Sequence, residues 1–254
     1  MGMDDETLQS RLSRISTNWT VLAQAHRGSQ SEAAAAHLAF MDRYGRAAYR
    51  YLLGAVRDPD TADDLFQDFA LRFVRGDFGR ANPERGRFRD YLKTTLYHLV
   101  ADHYGRKRRR AAPLNPVVAQ TAGEAWGAAE SDQQFVASWR AELLSRTWTS
   151  LKEDELAGGQ PYYTVLRFRT EHPAASSAEM ARQLSGQLQR QPPLSETNVR
   201  KILQRARAKF ADTLLQDIAF SLDDPSAEEL EQELIDLELL AYCRTAMARR
   251  KSDC

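Results

Sequence analysis

The chain has 254 residues, 43% of them hydrophobic and 28% charged, with 35 basic and 35 acidic side chains and no formal net charge. That length suits one large domain or two small ones with real cores. With only 13 Gly and 9 Pro in a chain rich in Ala, Leu, Arg, Glu and Gln, it favours helix over sheet. No apolar stretch is long enough for a bilayer and no signal-peptide core opens the sequence. The two cysteines, Cys243 and Cys254, form no disulfide framework, so a cytoplasmic setting is expected.

The zero charge hides strong segregation. Residues 85–110 carry nine Lys/Arg against two Asp, residues 197–210 carry five basic side chains and no acid, and residues 223–238 carry eight acids and no base. Such blocks point to surfaces with different partners, and the basic ones can meet phosphate despite the neutral sum.

In chain order, residues 1–30 form a polar N-terminal segment with an apolar patch at Trp19, Val21 and Leu22. Residues 31–56 are expected to be helical, with a break near Gly45, and Ala39, Phe40, Tyr44, Ala47, Ala48, Tyr51 and Leu52 make the stripe. A turn at Arg57-Asp58-Pro59-Asp60-Thr61 follows, with Thr61 or Asp60 as cap. The next helix covers 62–75, its apolar face made by Leu65, Phe66, Phe69, Ala70 and Phe73. After a Gly-rich loop at 76–86, a helix from Phe88 reaches the Arg106-Lys107-Arg108-Arg109-Arg110 cluster, with Tyr91, Leu92, Thr95, Leu96, Leu99 and Val100 as its core stripe.

Residues 112–132 contain Ala, Gly and Pro in weak pattern and are expected to be a flexible linker. A second helical set then runs over 133–150, 162–171, 176–189 and 195–219, and a last helix over 226–248. The expected architecture is all-α: two small helical domains, at 31–111 and 133–219, and a C-terminal helical extension at 220–254.

Three constellations carry the functional reading. Arg85, Arg87, Arg89, Lys93 and the terminal cluster offer charges for phosphates, and Tyr91, Tyr97, His98, His103 and Tyr104 interleave rings that can stack on unpaired bases. In the late helix, Val199, Ile202, Leu203, Ala206 and Phe210 form the buried stripe. Thr197, Asn198, Arg200, Lys201, Gln204 and Arg205 stay outside, and Ser195 or Thr197 is the cap. A short helix precedes it across a turn, the arrangement in which a second helix enters the major groove. The third is the acidic and apolar stretch Asp63-Asp64-Leu65-Phe66-Gln67-Asp68-Phe69. Each has a plainer reading by itself: a solvated helix end, a bundle surface helix, or acids at the positive end of a helix dipole.

Together, and in this order, they resemble bacterial RNA polymerase sigma factors of the sigma-70 family, in the small extracytoplasmic-function class. Ala62-Asp63-Asp64-Leu65-Phe66-Gln67-Asp68-Phe69 is similar to the acidic A-E-D-L-x-Q-x-x-F signature of sigma domain two. Phe88-Arg89-Asp90-Tyr91-Leu92, then Ala101-Asp102-His103-Tyr104 and the basic cluster, resemble its F-x-x-W-L … D-x-x-R-R-R segment. Ala178-Glu179-Met180-Ala181, Thr197-Asn198-Val199-Arg200 and Gln204-Arg205-Ala206-Arg207 resemble sigma domain four. Three departures stand out: Tyr91 where the family often has Trp, His98 where it often has Asn, and a longer turn before Thr197 that contains Pro192-Pro193.

The resemblance implies a role for each set. Asp63, Asp64, Leu65, Gln67, Asp68, Phe69 and Arg72 would bind core RNA polymerase. Arg87, Arg89, Tyr91, Lys93, His98, Asp102, His103, Arg106, Lys107, Arg108 and Arg109 would open and hold the minus-ten element of promoter DNA. Ser195, Thr197, Asn198, Arg200, Lys201, Gln204 and Arg205 would read the minus-thirty-five element. An anti-sigma protein or a regulatory kinase is a further partner that the family admits. Two rivals remain at this level: a helix-turn-helix regulator that works without polymerase, and an adaptor that binds acidic proteins.

No enzyme reading competes. There is no Gly-rich phosphate loop and no HExxH, His98 and His103 are poorly spaced for a metal, and no cofactor is expected. The C-terminal helix, with Leu230, Leu234, Leu237 and Ala241 on one face, is expected either to mask a basic DNA surface until released or to stabilise its domain through its own dipole.

Overall fold

The computed structural model describes Ala25 and residues 30–78, 87–111, 128–188, 192–222 and 225–252, and no strand occurs among the described residues. The helices are α1 (Gln30–Val56), α2 (Pro59–Arg75), α3 (Phe88–Ala111), α4 (Ala128–Leu156), α5 (Tyr162–Glu171), α6 (Ser177–Gln187), α7 (Glu196–Leu222), α8 (Ala227–Asp236) and α9 (Leu240–Ser252). They divide into two compact units. One takes the described residues up to Glu142 with Ala219–Ser226; the other takes Leu143–Ile218 and the described residues from Ala227 onward. The expected N-terminal patch of Trp19, Val21 and Leu22, most of the 76–86 loop and most of the 112–132 linker lie outside the described residues.

In the first unit, α1 is amphipathic over its whole length. Ala36, Phe40, Tyr44, Ala47, Ala48, Tyr51, Leu52 and Ala55 recur at three- and four-residue steps and are buried. It does not break at Gly45. The helix is continuous, and a Cβ at Gly45 would meet the Phe66 ring at 3.4 Å, an ordinary contact. The cap of α2 is Asp58 rather than Thr61 or Asp60: its Oδ2 accepts the Thr61 amide at 3.1 Å and the Thr61 hydroxyl, and Pro59 holds the first turn. Gly76, at φ 84°, ends α2 in the left-handed conformation. Its amide reaches the Phe73 carbonyl and the Asp77 amide reaches Arg72, after which Phe78 returns to the core.

Aromatic rings fill the space between these helices. Phe40 stacks on Phe73 at 3.9 Å and meets Phe88 edge-on at 6.0 Å. From α3, Leu92, Leu96, Leu99 and Val100 join the core, whereas Tyr91 and Thr95 of the expected stripe are only half-buried. The Tyr104 hydroxyl donates to the Ala55 carbonyl at 3.1 Å and ties the end of α3 to the end of α1.

The first half of α4 is the fourth helix of this unit. It begins at Ala128, so residues 128–132, expected in the linker, are helical. Phe135 meets Tyr51 edge-on at 5.6 Å, Trp139 stacks on Tyr44 at 5.3 Å, and the buried Tyr51 and Ser131 hydroxyls share a 2.7 Å hydrogen bond. Burial pushes the Tyr51 phenol up to about 12. The Gln134 amide fills the space that a Cβ at Gly54 would need. Glu142, with a side chain 5% exposed, forms a 3.1 Å ion pair with Arg50, close enough for charge pairing but not aligned as a hydrogen bond. Placing residues 133–142 with the later domain therefore differs from the packing, because their large side chains are buried against α1.

In the second unit, α7 supplies the central apolar stripe: Val199, Ile202, Leu203, Ala206, Phe210, Leu214 and Ile218 are buried. Trp148 packs edge-on to Phe210 at 5.0 Å. Glu155 caps α5 by accepting the Thr164 amide at 2.9 Å and the Thr164 hydroxyl. Ser176 caps α6 by accepting the Glu179 amide at 3.1 Å. The expected single C-terminal helix is two. Glu238, at φ 56°, breaks it, while Leu237 and Leu239 on either side are fully buried and the Leu239 amide returns to the Leu234 carbonyl. Arg249 pairs with Asp212 at 2.7 Å, which anchors α9 to the later part of α7.

Candidate nucleic-acid and partner interfaces

The helical period sorts α2 into two faces. Leu65 and Phe69 turn inward and are buried, so they shape the helix rather than present a contact. Asp63, Asp64 and Gln67 are exposed. Asp68 is engaged within the helix: Arg72 Nη2 meets its Oδ2 at 3.0 Å and Arg72 Nε its Oδ1 at 3.2 Å. Asp63 accepts from the Tyr49 hydroxyl, and this bond, with burial and the Asp63 charge, raises the Tyr49 pKa.

The sequence reading missed that the same exposed face continues into Leu71 (52% exposed) and Val74 (58% exposed). The signal was present, since these apolar residues lie two and three turns beyond Asp64 on the polar side. The result is a surface acidic at one end and apolar at the other.

On α3 the candidate residues separate further. Arg89 is buried at 8% exposure and belongs to the interior; Arg87 is half-buried. Tyr91 is half-buried, and that burial raises its pKa. Lys93 pairs with Asp132 of α4 at 3.3 Å. His98, Asp102, Arg106, Lys107, Arg108 and Arg109 are exposed, and Tyr97 adds an exposed ring whose centroid lies 5.8 Å from that of His98.

The basic end of α3 sits beside the start of α2. The His103 pKa is lowered by burial first and then by Lys107 and Arg106, against the opposing pull of Asp64 and Asp58. Asp58 is held below the usual carboxylate range by its bonds from Thr61, with Lys107 and His103 adding to the effect. The acids of α2 and the cations of α3 are thus neighbours and modulate each other.

In the second unit, Ser195 is the cap of α7, its Oγ accepting the Asn198 amide at 3.1 Å. Thr197, Asn198, Arg200, Lys201, Gln204 and Arg205 are all exposed, and Arg200 pairs with Glu196 one turn back. Just before them, the Leu194 amide donates to Ser185 Oγ at 2.8 Å. Arg169 steadies the preceding corner by donating to the Ala175 carbonyl at 2.7 Å. The masking idea for the C-terminal extension does not fit this unit, because these side chains are exposed and the α9 ion pair falls at Asp212, beyond them.

No group of three or more His, Cys, Asp or Glu able to hold a metal occurs among the described residues, and no helix there is long and apolar enough to cross a membrane. Cys243 is fully buried, and that burial, with the nearby Asp212 charge, pushes its thiol up to about 11, which disfavours the thiolate.

No curated protein and no solved structure matches the chain. Residues 40–110, which span the later part of α1 with α2 and α3, match the family model described as Sigma-70 region 2. The chain thus carries a sigma-70 region 2 domain, and the match supports membership of the sigma-70 family, whose members are transcription initiation factors that partner core RNA polymerase and are not enzymes.

Proposed function

We propose that the chain is a sigma factor of the extracytoplasmic-function class, acting in the cytoplasm, in which each exposed surface has its own partner. The α2 face, with Asp63, Asp64 and Gln67 followed by Leu71 and Val74, grips core polymerase. The α3 face holds the separated strands of the minus-ten element, its cations on phosphates and its rings on unpaired bases. The second unit acts as sigma domain four, with the capped N-terminal half of α7 reading the minus-thirty-five duplex. Residues 112–127 lie between α3 and α4 in the sequence, α4 itself leads from the first unit into the second, and an anti-sigma protein or regulatory kinase is the expected kind of regulator.

One observation carries this reading: the segment matched to region 2 contains an acidic face on α2 that a plain DNA-binding regulator has no use for. The test is capture of core polymerase by the full chain, followed by run-off transcription from a genomic promoter pool. Asp64→Arg is expected to weaken capture by tenfold or more, since reversing a charge beside a charged partner costs on the order of 2–5 kcal/mol. Duplex binding by α7 should survive. Capture that is indifferent to Asp64→Arg, with no transcript from any promoter, would favour a regulator that works without polymerase.

A further inference from the structure

The first half of α4 is a built-in part of the first unit and not a passing contact. Phe135, Trp139 and Ser138 are buried, Ser131 is buried and bonded to Tyr51, and the Glu142 carboxylate is buried against Arg50. These contacts fix the register of α4 against α1. They also place one exposed acid, Asp132, beside the α3 face: its Oδ1 lies 3.3 Å from Lys93 Nζ, with side chains 59% and 30% exposed.

Lys93 has a carboxylate from outside α3 within ion-pair distance, that of Asp132 on α4. A phosphate approaching Lys93 must displace that carboxylate and then remain close to its negative charge. Both effects weaken phosphate binding, and they do so more at low salt, where screening is least.

We infer that Asp132 is an electrostatic brake on the α3 face: it occupies Lys93 and holds down sequence-independent binding of nucleic-acid phosphate by the first unit. The inference rests on the α3 face being a phosphate-binding surface. Because the seat of α4 is aromatic and buried, the brake is set by the fold and does not require α4 to move. Phosphate and Asp132 exchange on Lys93 while the helix stays in place.

The experiment uses the full chain and a fluorescein-labelled single-stranded oligonucleotide of mixed sequence, with anisotropy titrations across a range of KCl concentrations. Asp132→Asn keeps the size of the side chain at an exposed position, and circular dichroism checks that the fold is kept. It is expected to tighten binding about two- to fivefold at low salt, the range of an exposed ion pair. It should also steepen the salt dependence by about 0.7 in log–log slope, the value for one more single-strand phosphate contact. Lys93→Ala should weaken binding, and Asp132→Asn should then add nothing in the Lys93→Ala background.

Asp132→Asn that leaves affinity unchanged or lowers it, while Lys93→Ala weakens binding, overturns the brake and leaves the α3 surface standing. A gain from Asp132→Asn that persists without Lys93 overturns Lys93 as the route. If neither variant changes binding, the brake is overturned because Lys93 meets no phosphate; loss of binding on Arg106→Ala/Lys107→Ala in the same titration then leaves the α3 surface standing, and no loss there removes it as well.

Discussion

The two basic helices differ in what accompanies their charge. On α3 the exposed cations are mixed with rings, Tyr97 and His98 beside the Arg106–Arg109 run, and two candidate cations are already committed: Arg89 to the interior and Lys93 to Asp132. On α7 the exposed stretch from Ser195 to Arg205 has no ring at all, a capped start, and polar side chains at successive turns. Rings are useful where bases are unstacked and can lie against them. A ring-free, capped helix with Asn, Gln and Arg near its start suits the edges of paired bases in a major groove. Equal charge therefore does not imply equal substrate, and under the proposed function the neighbours of the charge would separate a strand-holding surface from a duplex-reading one.

The largest effect expected from breaking this contrast comes from Arg89→Ala. Removing a buried cation from among its neighbours should lower the stability of the first unit by about 2–4 kcal/mol in chemical denaturation. Polymerase capture and strand binding should fall together, in proportion to the unfolded fraction. A selective loss of DNA binding at full stability would instead put Arg89 on the DNA surface. The next effect sharpens the contrast on the other helix. Lys201→Ala should weaken duplex binding about equally for all sequences and lower its salt slope by about 1, read from titrations against KCl. A change in sequence preference would give Lys201 a base contact.

The smallest effect concerns His103. Its pKa in the folded unit is depressed, so the unfolded chain takes up the proton first as pH falls. The stability this group contributes is present above the ordinary histidine value of ~6.5 and is lost as pH drops through the lower folded value. Thermal melts from pH ~8 to pH ~5 should show a decline in Tm that His103→Gln makes shallower; an unchanged slope would remove His103 from the balance.

The first three described helices were legible because their Phe and Leu residues repeat at helical steps and the turns between them carry Asp, Pro and Gly. The interior position of Arg89 was hidden, since it sits in a run of arginines that reads as solvent-facing and only the packing of α3 turns it inward. The docking of α4 was hidden for a different reason. Phe135 and Trp139 are one turn apart and mark an apolar face, but sequence does not say which unit that face meets. The break in the C-terminal helix went unseen because the left-handed residue there is Glu238, where glycine is the usual sign. The exposed residues of α7 were placed as expected, because a cap and a regular apolar stripe together fix which side faces out.

The claim that the two basic helices meet different forms of DNA is tested most directly by a pair of variants on two probes. Full-chain Tyr97→Ala and Arg205→Ala would each be titrated against a single strand and against a duplex selected from a random pool. Tyr97→Ala should weaken single-strand binding by about 1–3 kcal/mol and leave the duplex unchanged. Arg205→Ala should weaken the selected duplex by about 1–3 kcal/mol and leave the single strand unchanged. Equal losses of both variants on both probes would contradict the account.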